Sequence, residues 1–373
     1  MNSDFYARLE SMKPIAPRTI ALAAATDVYA LKSVVVAHQM GFVNAILCGN
    51  KDDIELIARE NNLDISDFEI LHCENDIDAA HRAVACVRDG RADILMKGLV
   101  HSADILRAVL NRETGIRGDG VLSHVAVLYS PERRRQLFLT DIAMVMYPDL
   151  QTKVKLINNA VAFAQHMGVE MPRVAPLCAV ETPNPAMIAT MDAVALHEMN
   201  MRGEITGCVV SGPVGFDIAV SESAARAKGV LGPVAGNADI LLFHNIEAGN
   251  NTLKAMVQFG DWIFGGVVLG ARAPIVLNSR SDSDVSKLLS SACACTMKSK
   301  TVINRQTYEV KPMIGACEIA VGKVQGEKFC VDTVCDAGAY KNFLAKYQTT
   351  FNVSVTAIAH VRSQTNANVP ITP

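Results

Sequence analysis

Three short stretches carry side chains able to handle an anion and a carbonyl group. In VLNSRSDSD (276–284), Ser279 offers a hydroxyl and Arg280 a planar fork of N–H donors that matches a phosphate. Asp282 and Asp284 follow close behind. The same acids also suit the start of a helix, with Ser281 or Asp282 as cap and Asp284 favoured by the dipole. In MKGLVHSADILRAVL (96–110), Lys97, His101 and Arg107 surround one strand-to-helix junction. Lys97 and Arg107 can both face an anion there, while His101 reads equally well as a polar loop residue. In SGPVGFDIAVSESAARAKG (211–229), Gly212 and Gly215 allow close backbone approach at a helix start, where free N–H groups favour phosphate. An ordinary strand-to-helix turn explains that stretch as well.

A fourth stretch, DILLFHNIEAGNNTLK (239–254), reads as a short buried strand followed by a turn-prone segment with one carboxylate, one glycine and two amides.

These stretches need elements to hold them. Apolar runs recur at 18–25, 43–49, 68–72, 92–98, 123–130, 173–181, 207–213, 239–245 and 273–279. They do not alternate polar and apolar residues, which suits strands buried on both faces of a mostly parallel sheet. Between them lie helical patterns with recognisable ends: one starts with a cap at Asp27 and stops at Gly41, and others stop at Gly90, Gly168 and Gly229. Strand and helix alternate, so the predicted class is α/β with helices on both faces. In such folds ligands gather beyond the carboxyl ends of the strands, where the stretches quoted above fall.

The 373 residues are half apolar, enough for at least two cores, since single cores stop growing at roughly 250–300 residues. A net charge of −3 without basic blocks excludes nucleic-acid binding by bulk electrostatics. No apolar stretch reaches the ~18 residues of a membrane helix, and the N-terminus has no signal-peptide pattern; a soluble, cytoplasmic protein is expected. The ten cysteines are scattered through apolar runs and read as buried free thiols. Cys293-x-Cys295 and Cys330-x4-Cys335 have no partner pair at zinc spacing, so no metal is expected. The chain holds no G-x-x-x-x-G-K-[ST], H-E-x-x-H or G-x-S-x-G motif, and no G-x-G-x-x-G opens a helix after a strand. After residue 300 the pattern changes to short alternating strands and turns, ending in a tail, SQTNANVPITP, expected to be flexible.

Taken together, MKGLVHSADILRAVL, FLTDIAMVMYPDL, AVETPNPAMIATMDA, VSGPVGFDIAVSESAARAKGV, VAGNADILL, IEAGNNTLK and PIVLNSRSDS occur in an order that resembles the phosphate acetyl/butyryltransferase family, nearest its butyryl branch. The resemblance covers roughly residues 15 to 298. It implies two three-layer α/β/α domains like those of the isocitrate and isopropylmalate dehydrogenases, with the site in the cleft between them. Residues 1–118 with 266–299 would form one domain, 119–265 an inserted second, and 300–373 an extension without a counterpart.

The implied reaction moves a short acyl group, butyryl preferred, from acyl-CoA to inorganic phosphate by direct transfer in a ternary complex, with no metal or other cofactor. By resemblance, Ser279 and Arg280 act on the carbonyl oxygen and phosphate, Arg107 belongs to the anion site, and Asp282 or Asp284 serves as base. Lys97, His101, Asp141, Gly212, Asp217, Gly249 and Asn250 are expected around phosphate and CoA, with Glu247 holding a loop or pairing with a cation.

Three positions depart from the family pattern. Ser286 stands where the acetyl branch has an acid, Val145 where the butyryl branch has an asparagine, and His244-Asn245 where proline and aspartate are common. A homodimer or larger homo-oligomer is expected. Two alternatives remain: a non-catalytic member that binds CoA, and a metal- and NAD-dependent dehydrogenase using Asp141, Glu181 and Asp217.

Overall fold

The computed structural model describes residues 3–279, 282–297, 308–312, 318–325 and 328–336. Residues up to Lys300 form one compact unit and those from Thr301 a second.

The first unit is a mixed α/β structure around one 11-stranded sheet. At one edge, β1 (Arg18–Ala23), β2 (Val43–Gly49), β3 (Glu69–His72), β4 (Ile94–Lys97) and β11 (Ile275–Val276) are parallel, in the order β3-β2-β1-β4-β11. At the other edge, β6 (Arg135–Thr140), β9 (Ile240–Leu242), β7 (Arg173–Pro176) and β8 (Val209–Val210) are parallel to one another. Between the two sets, β10 (Ile263–Leu269) and β5 (Ser123–Ser130) pair antiparallel with each other and with their outer neighbours.

Both faces of the sheet are covered, which explains the unbroken apolar runs. Leu22, Leu47 and Met96 point into one core with α2 (Val28–Gln39) and α11 (Asp284–Thr296). Ala21, Ile46 and Leu95 point into another with α4 (Asp76–Arg88) and α5 (Ser102–Leu110). In the other half, Leu139, Leu241 and Val214 share a third core with Ile218 and Leu253.

The expected signals at the ends of α2, α4 and α6 are met. Asp27 caps α2 by accepting from the N–H groups of Tyr29 and Ala30, and Gly41, Gly90 and Gly168 take the positive φ that ends α2, α4 and α6 (Leu150–His166). Two strands went unanticipated, β6 and β10. The segment expected as one helix up to Gly229 breaks at Ser221 into α8 (Phe216–Val220) and α9 (Glu222–Ala227). The segment expected as a turn after β9 is the start of α10 (Ile246–Phe259), with the Asn245 side chain accepting from the Ala248 N–H as its cap.

The second unit holds a three-stranded antiparallel sheet, β12 (Tyr308–Pro312), β13 (Glu318–Gln325) and β14 (Lys328–Asp336), as the alternating pattern after residue 300 anticipates. Among the described residues no helix is long and apolar enough to cross a membrane.

Candidate active site

Ser279 stands just past the carboxyl end of β11. The register pairs Val276 with Met96, so the chain leaves β11 beside Lys97, the last residue of β4. Lys97 is buried, and its Nζ donates to the Gly98 carbonyl at 3.2 Å.

The turn that follows is tightly held. Asp282 Oδ2 accepts the Ser279 N–H at 2.8 Å and the Asn278 amide Nδ2 at 3.1 Å. Below it lies Lys287, fully buried in α11, whose Nζ donates to the carbonyl oxygens of Ser279 and Asp282 at 3.2 and 2.7 Å. The cap of α11 is Ser283, not Ser281 or Asp282, and its hydroxyl accepts the Ser286 N–H. Asp284 pairs with Lys32 of α2 at 2.8 Å, and this neighbour holds its carboxyl below the usual range. Arg280 lies outside the described residues.

The other anticipated residues of this half lie at the two ends of α5. His101 occupies the cap position without a side-chain cap bond, and Arg107, mostly exposed, donates to Asp104 at 2.6 Å.

In the other half a loop leaves β6 at Asp141. This carboxylate is buried and faces inward: Oδ1 accepts from the Ala143 and Met144 N–H groups at 2.8 and 2.9 Å, and Oδ2 from the His124 N–H at 3.1 Å. Burial pushes its carboxyl up, opposed by those N–H bonds. Its geometry is that of a loop-organising group.

Gly249 and Asn250 serve the same loop from α10. A Cβ on Gly249 would stand 2.5 Å from the Asp141 carbonyl oxygen, and Asn250 Nδ2 donates to the Ile142 carbonyl at 3.0 Å. Glu247 accepts from the Tyr147 hydroxyl at 2.6 Å and so holds a loop.

Nearby, at the carboxyl ends of β7 and β9, the buried Lys153 donates to Asp192 at 2.5 Å and lies 2.9 Å from His244 Nδ1. A small pocket there is walled by Pro176, Leu177, Leu242 and Phe243. His244, one of the departures from the family pattern, is therefore a partner of a buried lysine.

Gly212 and Asp217 occupy less distinctive positions. A Cβ on Gly212 would meet nothing within 4 Å, and α8 is only five residues long. Exposed Asp217 and half-buried Glu181 lie 3.7 and 3.1 Å from Lys228 Nζ. Among the described residues no group of three or more histidines, cysteines or acids is placed to hold a metal. Cys293 and Cys295 are buried in the core, and burial pushes both thiols up to about 12. The side chains of Cys330 and Cys335 lie outside the described residues.

Lys287, Asn278 and Lys153 escaped the sequence reading. One signal was present for Lys287: a cation in the opening turn of a helix opposes the macrodipole and calls for a specific partner.

A mostly parallel α/β sheet with polar side chains gathered at its strand ends defines a small-molecule-binding protein of the layered α/β class. The comparisons are more specific. Residues 73–295 match the family model described as "Phosphate acetyl/butaryl transferase". The phosphate butyryltransferase of Clostridium acetobutylicum is 47% identical over 277 residues, 74% of this chain and 92% of that protein. The phosphate butyryltransferase of Clostridium beijerinckii is 44% identical over 300 residues, 80% of this chain and 99% of that protein. Among solved structures, a branched-chain phosphotransacylase from Enterococcus faecalis V583 aligns with a TM-score of 0.67 at 31% identity, over 75% of this chain and 99% of that one. The chain belongs to the phosphate acetyl/butyryltransferase family.

Proposed function

We propose that this protein is an acyltransferase that reversibly moves a short acyl group, butyryl preferred, from acyl-CoA to inorganic phosphate. The observation that carries the reading is the Ser279 turn, fixed by Asp282 and Lys287 at the end of β11 beside Lys97 of β4. Ser279 donates to the carbonyl oxygen as it gains negative charge. Arg280 and Lys97 hold phosphate close to the carbonyl carbon, so that direct transfer in a ternary complex is favoured. A phosphate oxygen bonds to the acyl carbon, the C–S bond breaks, and CoA leaves with the sulfur electron pair. The proton lost from phosphate ends on the thiol.

Asp282 holds the turn, and Asp141, Gly249 and Asn250 shape the loop after β6; none of these four touches substrate in this reading. His101, at the cap of α5, and Arg107, in its last turn, are both exposed and contact CoA in this reading. The halves 1–118 with 266–299 and 119–265 act as two domains with substrate between them, the second inserted between α5 and the return of the chain through β10. No metal or other cofactor takes part. The enzyme works in the cytoplasm, where acyl-CoA is found, as a homo-oligomer of at least two chains.

A thiol-release assay tests the proposal. Acyl-CoA of two to five carbons is mixed with protein, with and without phosphate. Phosphate-dependent release that is fastest at four carbons and lost in Arg280→Ala supports it. Release without phosphate points to a hydrolase, and no release from folded protein overturns the catalytic reading in favour of a CoA-binding member.

A further inference from the structure

Lys287 is 1% exposed and joins no ion pair among the described residues. Burying an ammonium away from any carboxylate is costly, so its partners matter. They are the Ser279 carbonyl at 3.2 Å, the Asp282 carbonyl at 2.7 Å and the face of the Tyr29 ring, with Nζ 5.7 Å from its centroid. Asp282 takes the Ser279 N–H at 2.8 Å. Both backbone polar groups of Ser279 are thus held by charged side chains, the N–H by a carboxylate and the C=O by an ammonium. Such charge-assisted bonds are the stronger kind, and together they restrain the two peptide planes that set where the Ser279 hydroxyl points.

We infer that Lys287 is a positioning residue for acyl transfer, locking the Ser279 turn from beneath with Tyr29 as the apolar wall of its pocket. The inference rests on the acyl-transfer reading of Ser279. Lys287→Met keeps the unbranched stem, one atom shorter, and removes its N–H donors. Two carbonyls then lose their partner and the turn gains freedom, and a misplacement of about 1 Å costs on the order of 10²-fold in rate.

Full-length wild type, Lys287→Met, Lys287→Arg, Ser279→Ala and the Lys287→Met/Ser279→Ala double variant are compared by phosphate-dependent CoA release and by thermal midpoint. Lys287→Met is expected to lower kcat roughly 10²-fold with KM for acyl-CoA within about threefold, and Lys287→Arg to recover part of the loss. The double variant is expected to be no slower than Ser279→Ala alone, because Lys287 acts through Ser279. Additive losses, or an unchanged kcat with only a lower midpoint, overturn the inference. If Lys287→Met does not fold, Tyr29→Leu decides: a several-fold loss of kcat at unchanged KM supports the lock, and an unchanged kcat overturns it. An inactive wild type overturns the acyl-transfer reading itself. An active wild type with an unaffected Lys287→Met overturns only the lock.

Discussion

The Asp282 carboxylate meets the Ser279 backbone N–H at 2.8 Å, and the same oxygen receives the Asn278 side chain at 3.1 Å. A carboxylate near a reacting thioester invites assignment as a base. One whose oxygen is already shared between two N–H donors of its own turn is well suited to holding that turn.

The two roles separate experimentally. Asp282→Asn keeps an acceptor oxygen for the Ser279 N–H, whereas Asp282→Ala leaves that exposed N–H to water, at about 0.5–1.5 kcal/mol, and frees the turn. Turnover is expected to fall about tenfold or more in Asp282→Ala and much less in Asp282→Asn, with the pH–rate profile of Asp282→Asn matching wild type. Equal, severe losses in both variants, with one limb of the profile gone, make Asp282 the base.

Gly249 lies inside a helix, a position that normally disfavours glycine, and its neighbour is backbone: a Cβ would stand 2.5 Å from the Asp141 carbonyl oxygen and 3.1 Å from Ile142 Cγ2. The carbonyl, being backbone, cannot step aside as a flexible side chain would. Gly249→Ala is expected to destabilise by roughly 1–3 kcal/mol despite alanine's better helix propensity. Urea unfolding checks it; a neutral or stabilising outcome shows that α10 shifts freely against the β6 loop.

How much of this was legible beforehand follows from the range of each interaction. Helix caps are local, so Asp27, Gly41, Gly90 and Gly168 marked their ends correctly. β10 was hidden because it carries Gly265 and Gly266, which weaken a strand pattern; they are there because Leu289 of α11 packs on one and the His124 ring on the other, 2.7 and 2.3 Å from where a Cβ would stand. IEAGNN looked like a turn for the same reason, since Gly249 answers to Asp141, far away in sequence. The strand-end position of Ser279 was legible from the apolar run before it, while Lys287 became visible only when α11 folded back beneath the turn.

Buried His124 adds acid sensitivity. Its pKa is lowered from 6.5 to about 4 by burial alone, and among the described residues its Nδ1 has no hydrogen-bond partner. The sign is set by the unfolded chain, which takes up a proton near pH 6.5 while the folded protein does not until about pH 4. Stability from this group is therefore full above pH 6.5 and drains away as the pH falls toward 4. About 2 kcal/mol is expected to be lost between roughly pH 7 and 5. His124→Phe is expected to flatten that limb in urea titrations at the two pH values; an unchanged slope assigns the acid lability elsewhere.

Lys153 and Asp192 form a buried pair with side-chain exposures of 3% and 20%. Attraction between such charges largely offsets the cost of removing them from water, so the pair adds little net stability while a broken pair is severe. His244 does not replace the carboxylate, because its Nδ1 accepts a bond from the ammonium but brings no negative charge. Burial and the Lys153 charge both lower the His244 pKa, which keeps it neutral beside Lys153. Asp192→Asn, which strands the ammonium, is expected to cost ~3–5 kcal/mol. Lys153→Met in the same chain is expected to recover most of that loss, because the two side chains are coupled and their effects do not add. The double-mutant cycle, read by urea unfolding at neutral pH, gives the coupling directly. Additive losses mean that Lys153 finds another counter-charge when Asp192 is neutralised.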